Sequence, residues 1–169
     1  MSDADAASER EPEAHAPPAP APWNRRAAMI AARGSFAVIA VWIALTTLLH
    51  ATGPEALFTV FDLPFTFICH RIPERVIAVL GVPTPLCSRC LGLWGGLSLS
   101  AAFAWPAISL RALRVVLPVA ALLMLIEVVT QDLGYHPVFH PTRLLTGLLV
   151  SVPVGGVVGA LITRELGGR

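Results

Sequence analysis

Long apolar segments, separated by short polar stretches, constrain the fold of this chain more than any other feature. A helix needs about 20 mostly apolar residues to cross a bilayer. Segments that approach this length cover about residues 28–50, 86–108, 113–130 and 143–162. Hydrophobic residues make up 55% of the chain and charged residues 14%, whereas a soluble domain averages about 25% charged residues. The sequence therefore predicts an all-α membrane protein with four transmembrane helices.

The region between the first and second predicted helices is apolar but discontinuous. Residues 56–68 are too few to cross a bilayer. Extending the segment to residue 80 would bury three charged side chains at bilayer depth (Arg71, Glu74 and Arg75), at about 2.5–3.5 kcal/mol each. We therefore expect a short re-entrant or interfacial segment, followed by a surface helix over residues 74–80 that Gly81 ends.

Residues 1–24 differ in composition from the rest of the chain. They are rich in Ala, Pro, Glu, Asp and Ser and show no apolar periodicity. Such a segment buries too little surface to offset its ordering entropy, so we expect a disordered tail. It lacks the basic start and the small-residue cleavage site of a signal peptide. The helical membrane domain is then expected over residues 25–169.

Arginine counting orients the predicted helices. All twelve basic residues are arginine, and basic residues favour the cytoplasmic side. With the N-terminus in the cytoplasm, seven arginines of residues 25–169 lie inside (Arg25, Arg26, Arg33, Arg111, Arg114, Arg164 and Arg169) and four lie outside (Arg71, Arg75, Arg89 and Arg143). This predicts a multi-pass protein of the inner (cytoplasmic) membrane with both termini cytoplasmic. The stretch from Cys69 to Cys90 and the loop from Gln131 to Arg143 then share the outer face.

All three cysteines lie in that first outer stretch. Cys87 and Cys90 form a C-x-x-C pair at a predicted helix start, where the helix dipole favours thiolates. Cys69 and His70 would complete a Cys₃His set, which suits a tetrahedral zinc ion or another transition metal. Adjacent residues rarely bind the same ion, so His136 or His140 are alternative fourth ligands. An odd number of cysteines favours a metal, or a redox pair plus one thiol, over a pure disulfide framework.

Two other functions fit the same residues. The Cys87–Cys90 pair is typical of a thiol–disulfide oxidoreductase, with Cys69 as its partner, and a structural disulfide also suits the oxidising face. A small transporter or transporter subunit would instead use an intramembrane carboxylate, Glu127. Pairing of Glu127 with an arginine such as Arg143 is the structural alternative. The accessory candidates around the site are Arg71, Arg75, Arg89, Glu127, Asp132, His136, His140 and Arg143.

Charge and small residues indicate the partners. A net charge of +1 gives no basis for nucleic-acid binding, which needs a basic patch. The lipid bilayer is the expected partner. Gly92 and Gly96, and a second stripe repeating every four residues (Gly147, Ser151, Gly155 and Gly159), allow helices to approach closely. Packing through these Gly-rich faces, including a homo-oligomer, is a further expectation.

The cysteine motifs resemble a known family. The patterns are Cys69-His70-x-x-Pro73-Glu74-Arg75 and Cys87-x-Arg89-Cys90-x-Gly92, followed by Gln131 and by Arg143-x-x-x-Gly147. They resemble domain of unknown function 2085, a family of small bacterial and archaeal integral membrane proteins, over about residues 67–156. The resemblance implies several membrane-spanning helices and a Cys/His/Arg cluster, and it implies no particular activity.

Overall fold

The computed structural model describes residues 22–53 and 55–167. Five helices and one antiparallel hairpin make up this part of the chain: α1 (Pro22–Thr52), α2 (Glu55–Thr66), β1 (Val76–Val79), β2 (Val82–Cys87), α3 (Ser88–Phe103), α4 (Leu110–Asp132) and α5 (His140–Gly167). The fold is therefore mostly helical rather than all-α. Most of the predicted disordered tail, residues 1–21, lies outside the described residues, and α1 already begins at Pro22.

Three helices are long and apolar enough to cross a membrane: Asn24–Thr52, Leu110–Asp132 and His140–Leu166. Helix α3 is not one of them, because its 16 residues rise only about 24 Å, less than the ~30 Å hydrocarbon core. The predicted span over residues 86–108 is therefore not confirmed. It is shortened at one end by β2 and at the other by Ala104, whose left-handed conformation (φ 52°) ends α3.

The other predicted helices exist but extend further than expected. Helix α4 begins at Leu110 because the Ser109 hydroxyl accepts a hydrogen bond from the Ala112 N–H at 3.2 Å, which caps the helix. Helix α5 begins at His140. The polar loop between α4 and α5 is therefore shorter than predicted, and Gln131 lies inside α4.

The predicted surface helix over residues 74–80 is wrong. Only Pro73–Arg75 forms a turn of 3-10 helix, and a β-hairpin follows it. The β-branched residues in Val76–Val79 favour a strand. Leu80 and Gly81 both have positive φ, 54° and 82°, as the two central residues of a tight hairpin turn require.

Helix α2 is the segment that we expected to be re-entrant or interfacial. It packs against α1, where the Trp42 and Phe61 rings stack with centroids 4.8 Å apart. The indole N–H of Trp42 also donates to the Phe61 carbonyl at 3.1 Å. These contacts place α2 beside the end of α1, and a re-entrant path through the bilayer is not confirmed.

Helices α3 and α5 run parallel and in close contact. A Cβ atom added to Gly92 would lie 2.4 Å from the Leu144 carbonyl oxygen, and one added to Gly159 would lie 2.4 Å from that of Ala101. The Ser151 hydroxyl donates to the Gly92 carbonyl at 2.9 Å. The predicted small-residue stripes therefore pack against each other within one chain. A homo-oligomer stays a prediction.

Helices α1 and α4 run antiparallel to this pair. The Arg33 side chain near the start of α1 donates to the Ala102 carbonyl at the end of α3, at 2.8 Å. Arg89 at the start of α3 pairs with Glu127 near the end of α4. The start of α1 and the end of α5 consequently lie at one end of the bundle. The hairpin and the cysteines lie at the other end, called here the cysteine end.

The outer faces of α1 and α4 are apolar and exposed. Val41, Val119 and Leu122 are each more than half exposed, on helices that meet the length and hydropathy requirements for crossing a membrane. Exposed apolar surface of this extent is typical of helices that face lipid. The protein is therefore a membrane protein with its polar site at one end of the helices.

Candidate metal centre

The three cysteines meet at the cysteine end of the bundle. Their sulfur atoms all lie within 4.8 Å of one another, and no disulfide joins them. Cys69 is buried, whereas Cys87 and Cys90 are partly exposed. Residues 18 and 21 positions apart in sequence thus provide three thiols to one point, in a chain with three cysteines in all.

Different elements hold the three thiols in place. Cys69 follows α2 and packs in a small core with Ile43, Phe65 and Leu86. Cys87 ends β2 and is the residue that precedes the first turn of α3, in which Cys90 lies. The backbone N–H of Cys87 donates to the Cys69 sulfur at 3.3 Å, which ties the end of β2 to the segment after α2.

The cluster favours a thiolate at Cys87. A hydrogen bond from the Cys90 thiol lowers the pKa of Cys87 to about 5, against the opposing effect of burial. Cys69 and the positive charge of Arg143 lower the pKa of Cys87 further. Thiolate is the form that binds metals and attacks electrophiles. The cluster therefore holds one sulfur in its reactive form at neutral pH.

One partly buried arginine, Arg89, and one buried arginine, Arg143, lie against the cluster. Arg89 forms an ion pair with Glu127, and their side chains are 14% and 10% exposed. Arg143 is only 2% exposed and hydrogen-bonds the side-chain amide oxygen of Gln131. Glu127 is therefore paired with an arginine, as the structural alternative proposed, but the arginine is Arg89 rather than Arg143.

Two further arginines lie nearer to solvent. Arg71 forms an ion pair with Asp62 at 2.6 Å, and the same carboxylate oxygen lies 3.2 Å from His50 Nε2. Arg75 pairs with Asp132 at 3.2 Å. The side chains of both arginines are about one-third exposed, at 32% and 33%. Asp62 thus links α1, α2 and the segment that follows Cys69.

The predicted histidine ligands do not join the thiols. Among the described residues, the close cluster of candidate ligand atoms contains three cysteines and no histidine. His70 is exposed and lines the pocket beside the thiols. His140 Nδ1 lies 3.3 Å from the Ser88 hydroxyl, and His136 is held by Thr130 and by the Pro137 carbonyl. A role for His70 as fourth ligand stays a prediction.

A pocket of about 370 Å³ opens beside the thiols. Its lining comprises Ile68, Cys69, His70, Arg71, Ile72, Arg75, Cys87, Arg89, Cys90 and Arg143. Thiols and arginines thus face a common space that can admit a small molecule. The stretch around the cysteines and the start of α5 meet at this site, as their predicted position on one face of the membrane requires.

The candidate set predicted from the sequence leaves out several polar residues of the site, among them His50 and Gln131. Gln131 lies four residues after Glu127 in α4, and this spacing puts both side chains on one helix face. Because Glu127 is a candidate site residue, this spacing could have identified Gln131 as a candidate as well. His50 gives no such signal, because only the fold brings the end of α1 next to Asp62.

The sequence of the chain matches a known protein family. The family described as predicted membrane protein (DUF2085) matches residues 69–157, more than half of the 169 residues. The match begins at Cys69, so it includes all three thiols of the cluster. The chain belongs to the DUF2085 family. The resemblance inferred from the cysteine motifs is thereby confirmed.

Two archaeal proteins are similar to this DUF2085 member. An uncharacterized protein of Methanothermobacter thermautotrophicus is 34% identical over 109 residues, which cover 60% of this chain and 89% of that protein. An uncharacterized protein of Methanocaldococcus jannaschii is 27% identical over 95 residues, or 53% of this chain and 60% of that protein. No solved structure matches the chain.

Proposed function

We propose that this DUF2085 member binds a thiophilic transition metal, with zinc the first choice, through Cys69, Cys87 and Cys90. The proposal rests on one observation, the separation of no more than 4.8 Å between the three sulfurs. Zinc–sulfur bonds of about 2.3 Å in a tetrahedral site place sulfurs about 3.8 Å apart. Small side-chain rotations are enough to reach that separation, so the donor set fits the ion.

The donor set favours metal handling over a purely structural role. Structural zinc sites are closed by four protein ligands, whereas sites that act on other molecules keep one position open. Here three thiols converge among the described residues, and they border a pocket of about 370 Å³. A fourth ligand would therefore come from His70, from water or from a molecule in the pocket.

We place the thiols on the outer side of the cytoplasmic membrane. At the opposite end of the bundle, Arg25, Arg26 and Arg33 lie at the start of α1, and Arg111 and Arg114 lie at the start of α4. An excess of arginine favours the cytoplasmic side. This arrangement supports cytoplasmic termini and a thiol site on the extracytoplasmic side of the membrane.

Metal content tests the proposal. Reduced protein is purified in detergent, incubated with zinc, freed of excess zinc and measured by elemental analysis. We expect about one zinc per chain, and a loss of most of it in Cys69→Ser and Cys87→Ser. His136→Ala, which removes a histidine outside the thiol cluster, is the control and should keep its zinc. Wild-type protein that retains no zinc would overturn the proposal.

Thiol–disulfide exchange is the second candidate, and the free thiols of Cys87 and Cys90 within 4.8 Å support it. The Cys87 thiolate would attack a substrate disulfide, form a mixed disulfide and release one substrate thiol. Cys90 would then lose its proton and attack Cys87, which releases the second thiol. The protein dithiol is oxidised to the Cys87–Cys90 disulfide by two electrons, and the substrate disulfide is reduced by the same two.

A redox titration separates the two functions. An exchange enzyme without bound zinc should show a reversible Cys87–Cys90 disulfide in glutathione buffers, measured by mass spectrometry of alkylated peptides. A Cys69→Ser variant should keep that disulfide. If zinc binds and protects all three thiols from oxidation, the metal-binding proposal is favoured and the exchange function is not.

A further inference from the structure

The pocket beside the thiols has an unusual polar lining. Apart from three sulfurs, the polar side chains that line it are His70 and the four arginines Arg71, Arg75, Arg89 and Arg143. None of its lining residues in the described chain is acidic. Arginine carries five N–H donors and no acceptor. The pocket therefore offers hydrogen-bond donors to a bound ligand.

The acidic residues nearby hold the arginines in place without closing the pocket. Asp62, Asp132 and Glu127 each contact one terminal nitrogen, in Arg71, Arg75 and Arg89 respectively. Each ion pair uses only part of the guanidinium fork. Arg71 and Arg75 line the pocket, their side chains are about one-third exposed, and each carries N–H groups that its ion pair does not use.

The arginines at the pocket outnumber the carboxylates that pair with them. Four guanidinium groups line it, and three carboxylates pair with them. In the described part of the chain, the partner of Arg143 is the neutral amide of Gln131, although Arg143 is almost fully buried. A buried charge needs compensation. Negative charge on the thiol cluster, with or without a bound ion, would compensate Arg143. A further anion would therefore be held by the N–H donors of Arg71 and Arg75 that their ion pairs leave unused.

We propose that this pocket binds a small oxyanion, a carboxylate, sulfate or phosphate group, against Arg71 and Arg75 and beside the thiols. Guanidinium forks bind these groups through paired, charge-assisted hydrogen bonds. The site is independent of the proposed metal, because its donors are present whether or not the thiols hold an ion.

The bound oxyanion could be a free anion or the headgroup of an anionic lipid. A lipid headgroup is a candidate because the pocket lies at one end of membrane helices. The probe is inorganic phosphate, titrated by calorimetry at constant ionic strength with chloride as the reference anion. Three preparations are compared: detergent, phosphatidylcholine nanodiscs and phosphatidylglycerol nanodiscs. Each is measured metal-free and zinc-loaded, so that failure of metal binding and failure of anion binding are seen separately.

We expect saturable phosphate binding in detergent and in phosphatidylcholine, with about one phosphate per chain. Arg75→Gln should weaken this binding by about tenfold, as loss of a charge-assisted bond does. Arg111→Gln removes an exposed arginine at the opposite end of the bundle and should leave the affinity unchanged. Arg143→Gln is a second variant, used where thermal unfolding shows that it folds.

The comparison of phosphatidylcholine with phosphatidylglycerol nanodiscs identifies whether the natural ligand is a free anion or a lipid headgroup. Phosphate binding that persists in phosphatidylglycerol indicates a free anion, whereas binding that phosphatidylglycerol abolishes indicates a headgroup in the pocket. Either result supports the oxyanion site. Phosphate binding no stronger than chloride binding in all three preparations, or equal affinities for Arg75→Gln and Arg111→Gln, would overturn it.

Discussion

Arg89 and Glu127 form an ion pair that joins the first turn of α3 to α4, and their side chains are 14% and 10% exposed. Removing one partner leaves the other charge buried without compensation. We expect Glu127→Gln to lower the free energy of unfolding by about 3–5 kcal/mol, measured by denaturation in detergent.

The exposed pair at the same end of the bundle is the control. Asp132 pairs with Arg75, but its side chain is 55% exposed, and exposed ion pairs contribute about 0–1 kcal/mol. Asp132→Asn should therefore change stability little. Equal losses in Glu127→Gln and Asp132→Asn would contradict the assignment of a buried pair.

Close packing of α3 on α5 gives a second prediction. The methyl group of Gly92→Ala would lie 2.4 Å from the Leu144 backbone oxygen, whereas at Gly95 nothing lies within 4 Å. We expect Gly92→Ala to destabilise the protein by about 1–3 kcal/mol. Gly95→Ala should be neutral or stabilising by up to about 1 kcal/mol, from helix propensity alone. Matching unfolding midpoints for the two variants would argue against the helix contact.

The pKa of Cys87 gives a third prediction, on reduced and metal-free protein. Its pKa is lowered from 9.0 to about 5, so the reactive thiolate dominates above pH 5 and is lost below it. Alkylation of Cys87 by iodoacetamide, followed by peptide mass spectrometry, should be half-maximal near pH 5. Cys90→Ala removes the hydrogen-bonding thiol and should move this midpoint upward. A wild-type midpoint near 9 would show that the cluster does not stabilise the thiolate.

Membrane orientation is tested with the thiols themselves. A membrane-impermeant maleimide, added to intact cells of a bacterial host, should label Cys87 if the cysteine end faces outward. Leu110→Cys in a background without the three native cysteines places one thiol at the opposite end, on an exposed residue. That thiol should react only after the cells are lysed. Labelling of Leu110→Cys but not of Cys87 in intact cells would reverse the orientation.

Sequence alone predicted the membrane class, three of the long helices and the meeting of Cys69 with the C-x-x-C pair. Apolar segments of sufficient length, and three cysteines in one short polar stretch, carry that information. The shared face of the cysteine stretch and the α4–α5 loop followed from the direction of the helices. The pairing of Arg75 with Asp132, 57 residues apart, shows that the two regions do meet.

Other features depend on tertiary contacts that local sequence does not specify. Strand β2 is hard to predict because it contains Pro83 and Pro85, and proline is rare in strands. In the structure the Thr84 hydroxyl donates to the Ile77 carbonyl at 3.0 Å and helps to join the two strands of the hairpin. The sequence predicts a full transmembrane helix at α3 because apolar residues continue past the end of this helix at Ala104. The choice of Arg89 over Arg143 as partner of Glu127 depends on helix rotation, which arginine counting cannot provide.

X-ray absorption spectroscopy of the zinc-loaded protein tests the central claim most directly, because it counts the sulfurs around the ion. We predict three sulfur ligands at about 2.3 Å and one lighter ligand at about 2.0–2.1 Å. The zinc that Cys69→Ser still retains should have one sulfur fewer. A first shell with two sulfurs or fewer in the wild-type protein, unchanged by Cys69→Ser, would contradict a three-thiolate centre.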